Sequence, residues 1–282
     1  MKLAIGTVQF GIHYGINNRN GIPDDIDVSE ILDLSIKNNI THLDTSISYG
    51  NCEERISKLA GNRFNIITKS RNVKSSEELA ASFSSSLRSL NSERVHGFLF
   101  HNADNLIDNN ELWNLLVKLK NDKKVANIGY SVYGTSQIDY LLEKGFIPDI
   151  IQLPYSLLDR KFESYFVKFK ELGIEIHVRS VFLQGLYFMD SKRLPKKLLP
   201  LEKYLDCINS ICKKFGISVG ELALNYVYDN KHIDKVIVGV DSLDQMKENI
   251  DVIKSWKSNE EINQLIGNIK VKEQHLLSPA NW

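Results

Sequence analysis

In the stretch LDTSISYG, residues 43 to 50, a carboxylate sits inside an apolar run and a phenol follows five residues later: Asp44 and Tyr49. Two more groups that do chemistry stand at the ends of the next apolar runs, Lys69 in IITKS and His101 in FLFHN. A phenol with the ordinary pKa of ~10 is a poor acid at neutral pH. An ammonium beside it stabilises the phenolate and lowers that value, each unit corresponding to about 1.4 kcal/mol. The ammonium in turn needs a paired carboxylate in a partly dry site, which is the task open to Asp44. A histidine can hydrogen-bond and orient a bound carbonyl oxygen. Together the four make a tuned proton donor beside a polarised carbonyl. The missing reactant is a hydride, and a nicotinamide cofactor supplies one.

These groups act together only if the chain brings them to one place. Eight short apolar runs suit buried parallel strands: KLAIGT, THLDT, FNIITK, VHGFLF, VANIGYS, DIIQLPY, IEIHVRS and DKVIVGV. Between them lie segments of helical period such as ELWNLLVKLK, where Leu112, Leu115, Leu116 and Leu119 share one stripe. Strand and helix alternating eight times predict an α/β protein, a (β/α)8 TIM barrel. A doubly wound sheet is the rival, but no strand is followed by a GxGxxG turn, and GTVQFGIHYG spaces its glycines differently. In a barrel, Asp44, Lys69 and His101 fall at the C-terminal tips of strands two, three and four, with Tyr49 just beyond Asp44. Neighbouring strands are about 5 Å apart, so the four side chains converge. Two more helices, SLDQMKENIDVIKS and SNEEINQLIGNI, follow the last strand, and the C-terminal tail VKEQHLLSPANW is free to fold over the barrel mouth. No linker or low-complexity segment divides the chain, so residues 1–282 are expected to form a single domain.

Composition excludes several classes. The 35 basic and 35 acidic residues balance, and basic clusters such as Lys123-Lys124 and Lys213-Lys214 are short, so no broad surface for nucleic acid is expected. No run approaches the roughly 20 apolar residues of a membrane span. Three cysteines, Cys52, Cys207 and Cys212, form no CxxC pair, which points away from a disulfide framework and from a cysteine zinc site. The N-terminal MKLAIGTVQFG reads as a strand, not a signal peptide, and a cytoplasmic location is expected. A metallohydrolase on this barrel would place His-x-His on the first strand, where AIGTVQFG has no histidine. His42 is read as a polar barrel residue, and no metal is expected.

The chain resembles the aldo-keto reductase superfamily through GTVQFGIHYG, DTSISYGNCEERIS, ITKS, LFHN, IGYS, IIQLPYSLLDR, RSVFLQGL and VIVGVDSLDQMKENI. The resemblance implies a (β/α)8 barrel and carbonyl reduction with Tyr49 as general acid, Lys69 and Asp44 as its tuning pair and His101 as orienting donor. For the cofactor it implies Ser131 and Gln152 on the nicotinamide carboxamide and Thr7 with Asp44 near the nicotinamide ribose. RSVFLQGL would run along the pyrophosphate, with Arg179 where relatives usually offer a stacking aromatic ring. Gly239, Asp241 and Ser242 fall near the adenosine ribose and its phosphate, Gln245 and Asn249 near the adenine. Val132 stands where many relatives carry an asparagine. NADP(H) comes first on the family pattern. NAD(H) contends with it, because Asp241 would repel a 2′-phosphate unless Lys247 compensates.

The opening segment and RSVFLQGL resemble a bacterial subgroup associated with polysaccharide or sugar modification, which implies a small sugar-like carbonyl substrate. A sugar dehydrogenase running the same chemistry in reverse, or a nucleotide-binding regulatory barrel with little turnover, are the alternatives. Phe10, His13 and Trp282 are expected to line the substrate pocket. Nothing in the sequence selects an oligomeric state.

Overall fold

A computed structural model describes residues 1–18 and 20–282. Eight parallel strands close into a barrel in sequence order, the last pairing with the first. They are β1 (Leu3–Gly6), β2 (His42–Asp44), β3 (Asn65–Lys69), β4 (Val95–Phe100), β5 (Val125–Ser131), β6 (Ile150–Pro154), β7 (Glu175–Arg179) and β8 (Lys235–Gly239). Each of the eight apolar runs contributes one strand. Helices α1 (Asp25–Lys37), α2 (Cys52–Ala60), α3 (Ser76–Ser89), α4 (Asp104–Asp108), α5 (Leu112–Asn121), α6 (Thr135–Glu143) and α7 (Phe166–Glu171) fill the connections up to β7. Helices α8 (Glu202–Phe215) and α9 (Val219–Tyr228) precede β8, and α10 (Leu243–Ser255) and α11 (Glu260–Asn268) follow it. No helix among the described residues is long and apolar enough to cross a membrane.

Helix α1 illustrates the local logic. Asp24 caps its first turn by accepting from the amides of Ile26 and Asp27, both at 2.9 Å, a contact whose loss typically costs about 1 kcal/mol. Val28, Ile31, Leu32 and Ser35 then form its buried stripe, at the spacing one helix face requires. The outward side chains of the strands join such stripes in one large core that includes Leu3, Ile5, Leu43, Phe98 and Ile151. The barrel interior is different. Ile67, Leu99 and Ile150 form a small apolar cluster of their own, and polar side chains occupy the ends of the strands on either side.

The connection after β7 was legible only as two later helices. It contains three 3-10 segments, Leu183–Phe188, Ser191–Arg193 and Lys196–Leu201, before α8 begins. Leu183, Leu186, Leu198 and Leu201 from this stretch pack with Leu157, Ile208, Ile266 and the tail residues Leu276 and Leu277 into a second core. The tail is fastened from outside: the Tyr204 hydroxyl donates to Glu273 at 2.7 Å and accepts from the Lys272 amide at 3.0 Å.

Candidate active site

Asp44, Lys69 and His101 lie at the C-terminal ends of β2, β3 and β4, and Tyr49 lies in the turn that leads to α2. Lys69 is 1% exposed, and its ammonium donates to Asp44 Oδ2 at 2.7 Å and to the Thr45 carbonyl at 2.8 Å. The other carboxylate oxygen of Asp44 accepts from Gln152 Nε2 at 2.7 Å. A buried ion pair offsets its desolvation only when such additional hydrogen bonds are made. The Lys69 ammonium sits 5.4 Å from the centre of the Tyr49 ring, and the His101 ring meets the same phenol edge to face at 5.6 Å. The Tyr49 hydroxyl has no hydrogen-bond partner among the described residues.

Close backbone approach holds Tyr49 in place. A Cβ on Gly11 would lie 1.9 Å from the Tyr49 carbonyl oxygen, so glycine there lets the loop after β1 press against the Tyr49 turn. From α2, Arg55 reaches across to donate to the carbonyls of Phe10 and of Pro23, the latter at 2.9 Å.

The electrostatics depart from the sequence expectation. Lys69 was expected to pull the Tyr49 phenol down; burial, and after it the Asp44 carboxylate, push it well above its ordinary value, with Arg179 opposing. The physical reason is burial first: it outweighs the nearby positive charge, and the Lys69 ammonium is committed to Asp44 and the Thr45 carbonyl. Tyr49 is therefore protonated across the physiological range. His101 is pulled down to about 4 by burial and then by the Lys69 charge, which leaves it neutral at pH 7. Its Nδ1 lies 3.1 Å from Ser46 Oγ. The single Ser46 proton has two acceptors in reach, this nitrogen and the Lys69 carbonyl at 3.3 Å; when it goes to Nδ1 the ring proton sits on Nε2, the tautomer that donates to a carbonyl oxygen.

From this group a cavity of about 500 Å³ runs to Gln245, Asn249 and Val252 on α10, within the size range of ligand pockets. Of the residues expected at a cofactor, Thr7, Asp44, Ser131, Gln152, Arg179, Gly239, Asp241, Gln245 and Asn249 line it. Ser242 does not. Its hydroxyl accepts from the Gln245 amide at 3.3 Å as the cap of α10, which uses the side chain for the helix. Gln152 and Ser131 carry partners of their own, Asp44 for the first and the Arg179 Nε donor at 3.3 Å for the second.

The residues present fit a dinucleotide. Gln9 Oε1 is buried without a partner in the wall of the channel, and a Cβ on Gly239 would fall 2.4 Å from that atom, so both residues leave a polar, narrow passage. Beside the channel, Ser180, Leu183 and Gln184 hold positive φ angles of 62°, 48° and 54°, a costly backbone for non-glycine residues and one that clusters at functional sites.

Three residues expected at the pocket lie elsewhere. Phe10 is fully buried in the outer core, as an apolar ring leaving β1 would be. His13 is exposed and bonds to the Asn18 carbonyl at 3.2 Å. Trp282 packs on the second core and donates to the Leu276 carbonyl at 2.7 Å. A smaller chamber of about 220 Å³ adjoins the channel and is walled instead by Tyr14, Tyr133, Asp159 and the tail residues Leu277 to Ala280. The sequence offered the tail as a cover for the mouth but singled out none of Tyr14, Tyr133 and Asp159. The tail's apolar pair Leu276-Leu277 was the available signal, since it must bury somewhere near the mouth. Ser46 was missed too, although its place between Asp44 and Tyr49 marked it.

A closed (β/α)8 barrel with this group at its C-terminal mouth and a dinucleotide-sized channel beside it defines a class of oxidoreductase. The chain belongs to the Aldo/keto reductase family, whose profile matches residues 2–268. The family consists of NAD(P)H-dependent carbonyl reductases, and this chain is an oxidoreductase of that type. In structure it is similar to the aldo-keto reductase AKR11C1 from Bacillus halodurans in its holo form, with a TM-score of 0.77 and 22% identity over 97% of this chain and 94% of that one. It is also similar to PA4992 from Pseudomonas aeruginosa, with a TM-score of 0.68 and 20% identity over 89% of this chain and 88% of that one. At these identities the likeness concerns the fold. No curated protein sequence matches the chain.

Proposed function

We propose that the protein reduces a small aldehyde or ketone to an alcohol in the cytoplasm, with Tyr49 giving the proton to the carbonyl oxygen. The observation that carries this reading is the Tyr49 hydroxyl itself. It is protonated and without a partner, it faces the channel, and it stands beside a neutral His101 and the Lys69–Asp44 pair. When bound, the nicotinamide cofactor supplies the hydride that completes the reduction. Donation leaves a phenolate, and the Arg179 charge offsets part of its cost. His101 holds the carbonyl oxygen, and Asp44 with Gln152 keeps Lys69 in place. The same groups run the reverse oxidation if Tyr49 accepts the proton.

For the cofactor's identity, the adenosine end of the channel supports NAD(H) over the NADP(H) that the family pattern puts first. Asp241 and Glu248 line it, and no lysine or arginine among the described residues does so there. Asp241 is held by Gln245 Nε2 at 2.6 Å, while Lys247 pairs with Asp244 at 3.2 Å and stays out of the lining. A carboxylate repels a 2′-phosphate and accepts from a free 2′-hydroxyl. What supports a hydroxyl-bearing, sugar-like substrate is Asp159 in the side chamber, 1% exposed, whose Oδ1 is a buried acceptor without a donor.

Fluorescence titration of the purified protein with NADH and with NADPH tests the reading. Saturable binding of either, with NADH at least about tenfold tighter, is expected; an equal or opposite preference refutes the role given to Asp241, and failure of both to bind refutes the reductase.

A further inference from the structure

Arg179 is a charged side chain without a counterion, placed where the channel meets the side chamber. It lines both cavities. Its hydrogen bonds all go to neutral acceptors: Ser131 Oγ at 3.3 Å, Ser180 Oγ at 3.4 Å and the Val132 carbonyl at 3.2 Å. A guanidinium has five N–H donors, so one on each terminal nitrogen is left for a ligand. The group is also rigid, with its central carbon 4.3 Å above the Tyr133 ring, and two of its acceptors belong to the buried residues Ser131 and Val132.

The other charges in these walls near the reacting groups are already matched. Asp44 is paired with Lys69 and Asp159 with Lys161, each at 2.7 Å. No described carboxylate lies within ion-pair distance of Arg179. A partly desolvated cation left unmatched is costly, and a guanidinium fork matches a carboxylate in both charge and planar geometry. Its charge also reaches the reacting groups, acting against the rise of the Tyr49 phenol and adding to the fall of His101.

We propose that Arg179 anchors a carboxylate carried by the substrate, so that the compound reduced here is an aldehyde or ketone that is also an acid. The inference rests on the reductase reading. The carbonyl would sit at Tyr49 and His101, and the acid group at the entrance of the side chamber. The covering tail, through Leu277 to Ala280, closes the chamber's far wall and limits the length of what fits.

Two probes of equal chain length, 4-oxobutanoate and butanal, test it with NADH as reductant. In the natural protein kcat/KM is expected to favour the acid by about tenfold or more, mainly through KM. Arg179→Gln brings the ratio close to one, and Arg179→Lys, which keeps the charge but not the fork, keeps part of it. Calorimetry gives a second readout: succinate binds the protein saturated with NAD⁺, and Arg179→Gln abolishes that binding. A ratio near one in the natural protein, or an unchanged ratio in Arg179→Gln, overturns the proposal. If the cofactor binds but neither aldehyde is reduced, the reductase reading falls alone, and succinate binding still decides the anion site: its loss with Arg179→Gln upholds the site, and its absence from the natural protein overturns it.

Discussion

The two ends of the barrel bury similar groups to opposite effect. At the C-terminal mouth, Asp44, Lys69 and Gln152 are joined by bonds of 2.7 Å, and the phenol and imidazole beside them face a cavity. At the other end, His42 and His96 meet edge to face at 5.2 Å, Asn65 and Asn127 lie against them, and His177 bonds to Glu175 at 3.2 Å. The Ile67, Leu99 and Ile150 cluster lies between. No group of three or more His, Cys, Asp or Glu side chains among the described residues is placed to hold a metal. The mouth holds a matched ion pair under an open channel, whereas the far end holds His42 and His96, both pulled down first by burial. Burial pushes the Tyr49 phenol up and pulls His101 down at the mouth, and pulls His42 and His96 down at the far end. In barrel enzymes generally the C-terminal mouth carries the chemistry and the opposite face the stability.

Breaking the ion pair should give the largest effect. Lys69→Met leaves Asp44 buried and uncompensated, so it should lower turnover at least about a hundredfold and destabilise the protein by about 3–5 kcal/mol. Adding Asp44→Asn should restore most of the stability and none of the rate. Parallel assays of turnover and denaturant unfolding separate the two; full recovery of activity in the double variant would remove the pair from the chemistry.

Acid sharpens the contrast at the other end. Burial, and then the Lys235 charge, pull His42 down to about 3, below its ordinary 6.5, and His101 lies at about 4. The unfolded chain therefore takes up these protons first as pH falls. The folded state keeps its full advantage above about pH 6.5 and loses it progressively toward pH 3–4. Thermal melts at pH 7 and pH 5 should differ by several degrees, at about 2–4 °C per kcal/mol for domains of this size class, and His42→Asn should narrow the gap. An unaltered gap would show that His42 titrates no differently when folded.

A smaller effect is expected at the adenosine end. Asp241→Ser should improve NADPH binding by about tenfold and change NADH binding little, read by the same titration. The smallest expected effect is no effect. With Tyr49 held above its ordinary value and His101 below its own, carbonyl reduction should be nearly flat from pH 6 to 9. A rate that falls with an apparent pKa near 8 would show that Lys69 does lower the phenol after all.

Much of this was legible in the sequence because the barrel puts chemistry next to hydrophobicity. Asp44, Lys69 and His101 each end an apolar run, so locating the strands located them. Asp241 and Asn249 were expected at the adenosine end from the family resemblance of VIVGVDSLDQMKENI, and both line the channel. The direction in which Tyr49 titrates was not legible, since it depends on how deeply the folded chain buries the phenol and how near it brings Asp44. Nor were Tyr14, Tyr133 and Asp159 as chamber walls, because loops meet there by packing across long sequence separations. Phe10 shows the converse: its position in the first loop suggested a pocket, and its apolar surface took it into the core.

The most direct test of the central claim is a stopped-flow measurement of NADH oxidation by an aldehyde, comparing the natural protein with Tyr49→Phe at matched cofactor saturation. The account predicts a loss of about 10²–10⁴-fold in the rate of the chemical step, with cofactor affinity within about twofold of the original. A rate within a few fold of the natural protein would contradict it and remove the phenol from the role of acid.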